Sequence, residues 1–280
     1  MEVRAGEKHT AHQPAWATCN QSKEVRASEE PPASVDRVKK NRVRLDYMGR
    51  GKGPHFAQGD FDIYLLAQTW APHFCCHNTD RCHTVPWAFS AKHLSLHGLW
   101  PGFLMPREGQ TFPSSCEAAQ KLLPAFLPRE YIDVAPSFTT YDAVARQATV
   151  GELAKHEWKK HGTCTGLTPE GYFNEALKAM NALPGTRGTP ALLSEHVGQD
   201  VPTSELRKAY SKRVALRADK LCRLAEVTTC WAKAPDGSVG AQVDCPDHVM
   251  KGRDSPNCAS LRLTQLGQCL AGDGQRKGRK

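Results

Sequence analysis

The sequence predicts one disulfide-stapled α+β domain, and three patterns carry that prediction. Apolar residues alternate at period two through Phe61, Ile63 and Leu65, as on a half-buried strand. Later the spacing becomes helical, with Tyr172, Phe173, Ala176, Leu177 and Met180 forming one stripe. Eleven cysteines, most of them in the second half of a loop-rich chain, imply covalent bracing in an oxidising compartment. At 280 residues the chain is long enough to bury a substantial core.

Residues 1–58 read as a polar, disordered extension. They hold Ser28-Glu29-Glu30-Pro31-Pro32 and the basic run Lys39-Lys40-Asn41-Arg42, with too few large apolar groups for a core. An RNA-gripping basic arm is the sharper alternative. The folded domain spans 59–270. Phe61–Trp70 is its first strand, and Leu94–Leu99 a second that carries His97 towards its end. Glu117–Leu123 and Thr149–His161 read as helices. Thr168-Pro169-Glu170 opens another by capping rules. Thr189-Pro190 starts a short helix stopped by Gly198, and Thr203–Lys212 is a further amphipathic run. Leu221–Trp231 returns to strand, and Gln242-Val243-Asp244-Cys245 is placed to pair with it across the Asp236-Gly237 turn. Residues 271–280, ending Arg276-Lys277-Gly278-Arg279-Lys280, form a basic solvated tail. No internal repeat is visible.

The net charge of +8 and pI near 8.9 suit a polyanionic partner, although the excess is spread out and partly terminal. No stretch approaches the roughly 20 apolar residues of a membrane span, so no membrane partner is expected. Nor does Met1 begin a basic-then-apolar leader. That sits against the compartment implied by the cysteines and leaves a processed chain, a mis-set start or an unusual export route.

Two blocks carry chemistry: His97-Gly98-Leu99-Trp100-Pro101 and His156-Glu157-Trp158-Lys159-Lys160-His161-Gly162-Thr163-Cys164. At about 100° per helical residue, His161 lies about 40° from Glu157, Lys160 about 300° and His156 about 260°. One face therefore presents His156, Glu157, Lys160 and His161, while Lys159 points away. Gly162 marks a helix end, where the dipole favours a protonated His161. A charged hexapeptide alone would be a solvated surface; the upstream histidine block overturns that reading. A zinc-peptidase helix is ruled out by spacing, because the i+4 partner of His156 is Lys160, a cation. No paired Cys-x2-Cys motif offers another metal site, and no metal or cofactor is expected.

Together the two blocks resemble the active-site segments of the ribonuclease T2 family, and the resemblance runs over roughly residues 59–270. It implies a central antiparallel sheet flanked by α-helices. It also implies a metal-independent endoribonuclease that cleaves single-stranded RNA through the 2′-hydroxyl, giving 2′,3′-cyclic phosphates and then 3′-phosphates. By resemblance His161 is the general base and His97 the general acid, exchanging roles when water opens the cyclic phosphate. Glu157 and Lys160 would offset charge in the transition state, and His156 would hold the phosphate. Trp100 would stack on a base, with core packing as its rival, the role assigned to Trp158. The other histidines, among them His73, His77, His83, His93 and His248, are read as surface or core residues.

The resemblance further implies that Cys75 or Cys76 pairs with Cys82, Cys116 with Cys164, Cys222 with Cys258 and Cys230 with Cys245. Cys19 with Cys76 or Cys269 stays open, and an odd count leaves at least one thiol unpaired within the monomer. Two departures weaken any statement of base preference. Gly102 stands where some relatives have an acidic residue, and Leu153-Ala154 where many have Phe-Trp. The expected partner is RNA, with no obligatory protein partner, in a secreted, periplasmic or lumenal setting. A non-catalytic RNA-binding or inhibitor-binding module on the same fold is the alternative. Its signature would be loss of His97, Glu157 or His161, and all three are present.

Overall fold

The computed structural model describes residues 56–82, 84–116, 123–124, 127–142 and 147–269. Nearly all of the expected extension, the helix expected at Glu117–Leu123 (except Leu123) and the basic tail lie outside them. The strands in chain order are β1 (Ile63–Thr69), β2 (Ser95–Gly102), β3 (Thr139–Asp142), β4 (Gln147–Val150), β5 (Asp200–Pro202), β6 (Ala215–Ala218), β7 (Leu224–Lys233), β8 (Val239–Val243) and β9 (Ser260–Arg262). The α-helices are α1 (Ala71–His77), α2 (Tyr131–Val134), α3 (Glu152–Lys160), α4 (Pro169–Asn181), α5 (Ala191–Glu195), α6 (Thr203–Lys208) and α7 (Asp247–Arg253).

Strand β1, in the interior of a five-stranded antiparallel sheet, is buried on both faces and not on one, because an apolar cluster packs on each side of it. β2 pairs with one edge of β1 and β7 with the other. The far edge of β7 takes β6 along its first half and β8 along its second, so the expected Gln242 pairing forms, opposite Trp231. Alternation along β1 sorts its side chains into two apolar clusters. Tyr64 and Leu66 enter the larger one with Trp158, Phe173, Leu193 and Leu206 from α3, α4, α5 and α6. Ile63, Leu65 and Ala67 enter the smaller one with Trp100, Cys230 and Val249 of α7. Helices thus cover one face broadly, while one short helix covers part of the other.

Helix α4 begins as its sequence predicts. The Thr168 hydroxyl accepts from the Gly171 N–H at 3.1 Å, Pro169 occupies the first turn, and the predicted stripe is buried. Helix α3 starts later than the expected Thr149, because β4 pairs with β3 through Thr139 and Val150, and Gly151 is the extended cap. The expected run Thr203–Lys212 stops at Lys208, and the strand expected from Leu221 begins at Leu224.

Disulfides join Cys75–Cys82, Cys116–Cys164, Cys222–Cys258 and Cys230–Cys245. A fifth, Cys76–Cys269, decides between the two adjacent cysteines. Cys19 lies outside the described residues. Five disulfides suit folding in an oxidising compartment. Cys116–Cys164 ties the wall that holds Phe112 to the end of α3, where the Ser115 N–H also donates to the Lys160 carbonyl at 2.8 Å. Its 48-residue loop predicts that Cys116→Ala with Cys164→Ala lowers unfolding free energy by about 4 kcal/mol in urea titrations. A loss under about 1 kcal/mol would show that the bond does not brace the fold.

Candidate active site

The pairing of β1 with β2 slips by one residue: Ala67 faces Gly98 and Gln68 faces Leu96, leaving His97 as the bulged residue. This extra residue keeps both Leu96 and Leu99 in the larger core while turning His97 to the opposite face. There His97 Nδ1 meets Glu226 Oε2 at 2.8 Å. Gly98 is needed because a Cβ at that position would strike the Glu157 carboxylate and lie 2.5 Å from the Trp100 indole nitrogen.

Helix α3 brings the second block to the same place. His156, Glu157, Lys160 and His161 all line an open pocket of about 480 Å³ together with His97 and Trp100. Ala154 and Trp158 on the opposite face anchor the helix in the core. The turn after His161 closes tightly over Trp158, whose ring would collide with any side chain at Gly162. Trp100 stands between the two histidines, its ring 5.2 Å from that of His97 and 5.4 Å from that of His161. Phe112 lies 5.9 Å from His161 on another side.

Burial decides the electrostatics here. His161 is 5% exposed, and burial followed by the nearby Lys160, His156, Arg253 and His97 charges drives its pKa down to about 3. The helix-dipole expectation of a protonated His161 is therefore overturned: desolvation and neighbouring cations outweigh a fractional backbone charge. Its Nδ1 is buried and makes no hydrogen bond among the described residues. Burial raises the Glu157 pKa, opposed by the Trp100 hydrogen bond and by His97 and Lys160. His156 is exposed.

Trp100 lines the pocket but is largely covered. It is 7% exposed, packs with Leu65 and Val249, and has the Arg253 guanidinium 4.3 Å from its ring centre. Its N–H donates to Glu157 Oε2 at 2.6 Å. The indole is thus a strut that keeps a buried carboxylate hydrogen-bonded. We predict that Trp100→Phe, which retains an aromatic face but loses the donor, moves the Glu157-linked acid-side decline of kcat/KM to higher pH with little change in KM. A raised KM with an unmoved decline would restore the base-stacking role.

Several pocket residues had no counterpart in the expectations. Glu226 is fully buried and binds Arg217 Nη2 at 3.0 Å and Arg253 Nη1 at 3.0 Å besides His97. An acidic residue inside the apolar and β-branched run Leu224–Trp231 was the available signal. His248, expected to be a surface or core residue, lines the pocket from α7. The one group among the described residues with the composition of a metal site is His73, His77 and Asp219, which lines a second cavity shared with His97 and His156. Arg223 already donates to Asp219 at 2.7 Å and lies 3.3 Å from His77, so a guanidinium supplies the cation there.

A five-stranded antiparallel sheet and α3 thus bring His97 and His161 to either side of the Trp100 indole, with the Glu157 carboxylate and the Lys160 ammonium beside them. The chain belongs to the ribonuclease T2 family, whose model matches residues 61–235. A ribonuclease of Aeromonas hydrophila is 32% identical over 123 residues, which are 42% of this chain and 44% of that protein. The intracellular ribonuclease LX of Solanum lycopersicum is 28% identical over 200 residues, 67% of this chain and 78% of that protein. The chain therefore spans under half of the bacterial relative and more than two thirds of the plant one. The crystal structure of the Nicotiana alata self-incompatibility associated SF11-RNase matches with a TM-score of 0.50 and 18% identity, over 74% of this chain and all of that one. At that identity the likeness establishes the fold.

Proposed function

We propose that residues 59–270 form a metal-independent endoribonuclease domain acting on single-stranded RNA, with the flanking segments as appendages. The observation that carries this reading is the unlike pair of histidines on either side of Trp100. One is held neutral by burial and the other is bonded to a carboxylate. A neutral imidazole can take a proton, and an imidazole paired with an anion can keep one to give.

His161 removes the proton of the 2′-hydroxyl, whose oxygen attacks the adjacent phosphorus. His97 protonates the departing 5′-oxygen, and a 2′,3′-cyclic phosphate remains. Water then opens the ring with the two roles exchanged, giving a 3′-phosphate. Lys160 and Glu157 stabilise the charge that builds on the phosphoryl group, and exposed His156 holds the phosphate in the ground state. A second cavity of about 1000 Å³ shares His97, His156 and Arg217 with the first, leaving room for nucleotides on both sides of the cleaved bond. The disulfides support a secreted, periplasmic or lumenal site of action. No helix among the described residues is long and apolar enough to cross a membrane.

The test is a digest of single-stranded RNA in excess EDTA, with the product ends followed over time. Cyclic ends appear first and convert to 3′-phosphates. RNA binding without cleavage would instead identify a non-catalytic module, and 5′-phosphate products would identify a water-attack nuclease.

A further inference from the structure

Glu226 sits on β7, 129 residues from its partner His97, and faces directly across the ladder from Arg217 on β6. Its side chain has no solvent exposure, whereas those of His97, Arg217 and Arg253 remain 33%, 49% and 30% exposed. One carboxylate oxygen serves His97 and Arg217, and the other serves Arg253. Such a buried carboxylate needs its bonds filled, and all three partners point from it towards the pocket they line. We propose that Glu226 is a positioning residue for the general acid: it fixes the His97 ring through Nδ1–H, so that Nε2 is the atom that gives its proton to the leaving 5′-oxygen. This inference rests on the endoribonuclease reading of the same site.

The proton balance is simple. The P–O5′ bond breaks, its electron pair goes to the 5′-oxygen, and that oxygen takes the Nε2 proton. His97 is left neutral with its remaining proton on Nδ1, still bonded to Glu226. The carboxylate does not take that proton. Burial alone would raise its pKa, but the His97 hydrogen bond and the charges of His97, Arg217 and Arg253 together hold it below the ordinary carboxylate range. Besides Glu226, Arg217 and Arg253, the titratable groups that line the pocket with His97 include His156, Glu157, Lys160 and His161 from α3 and its end, and His248 from α7.

A purely structural role, neutralising two arginines at the sheet edge, makes a different prediction. General-acid help matters for an alkoxide leaving group and little for a nitrophenolate. Two substrates separate the roles: a dinucleotide, and a nucleoside 3′-(4-nitrophenyl phosphate). Glu226→Gln should lower kcat on the dinucleotide by about 10²-fold, part of the usual contribution of one proton-transfer group, and leave the nitrophenyl ester nearly unaffected. Its KM should hold. His97→Ala, run beside it, should show the same leaving-group dependence with a larger loss. Equal slowing of both substrates by Glu226→Gln, or no slowing, overturns the proposal while His97→Ala upholds the general acid. If His97→Ala shows no leaving-group dependence, the acid assignment itself falls and the inference with it. Should Glu226→Gln not fold, nitrogen NMR of the wild-type protein decides. Neutral His97 must carry its proton on Nδ1 in a hydrogen bond, and the Nε2–H tautomer would overturn the proposal.

Discussion

His161→Ala should lower RNA cleavage by about 10²–10⁴-fold, the usual contribution of one proton-transfer group. No neighbour can replace it. The Lys160 ammonium accepts nothing, and His97 in its acid role carries a proton on each ring nitrogen and has no lone pair to offer. His156 is exposed, whereas His161 is buried beside the Trp100 and Phe112 rings. The same residue shapes the pH profile. Loss of activity on the acid side follows two groups that take up protons. Glu157, raised by burial, protonates first; this costs part of the transition-state stabilisation. His161 protonates only near about 3, and this removes the base itself. The wild-type kcat/KM profile should therefore descend in two steps, with the steeper fall well below the range of an ordinary histidine. In the complex, the bound phosphate favours the imidazolium, so the corresponding fall in kcat lies at higher pH. Near-normal cleavage by His161→Ala would remove the base assignment, and a single acid limb near the ordinary histidine value would show that burial does not hold this imidazole's pKa down.

A second expected result concerns the substrate. In a short RNA with one 2′-deoxy sugar on the 5′ side of a chosen phosphate, cleavage should vanish at that bond and persist at all others in excess EDTA. The cause is chemical and not one of affinity. A chain of net charge +8 with Lys160, Arg217 and Arg253 at its pocket attracts any nucleic-acid backbone. Without the 2′-hydroxyl, however, His161 has no proton to remove and no internal oxygen to activate. DNA should therefore inhibit competitively at low salt and stay intact. Cutting at the deoxy position would mean that water is the nucleophile.

Local spacing made half of the site legible. The helical face of His156, Glu157, Lys160 and His161 follows from 3.6 residues per turn, and all four line the pocket. Glu226, Arg217 and Arg253 were not legible, because strand register and the docking of α7 bring them to His97. The same cause hid the packing of Trp100. Its place three residues after His97 suggested a base platform, while Arg253 and Val249 of α7, far along the chain, cover it. His161 shows the limit of a local rule, since the dipole is read from sequence and desolvation is not. At Thr149 and Val150 the helical pattern continued backwards into residues that tertiary pairing with β3 claims for a strand.

The Cys76–Cys269 bond changes the topology of the chain as well as its fold. It closes residues 76–269 into a covalent ring, and His97, Glu157, His161 and Glu226 all belong to that ring. A protease that cuts once within it opens a circle and releases no fragment. The strands and helices that meet at the pocket then stay tethered from both sides of the nick and can re-dock as an intramolecular event. Separation of the two halves requires either a second cut or a reductant. In a compartment rich in proteases and poor in thiols, the bond thus acts as insurance against the first cleavage.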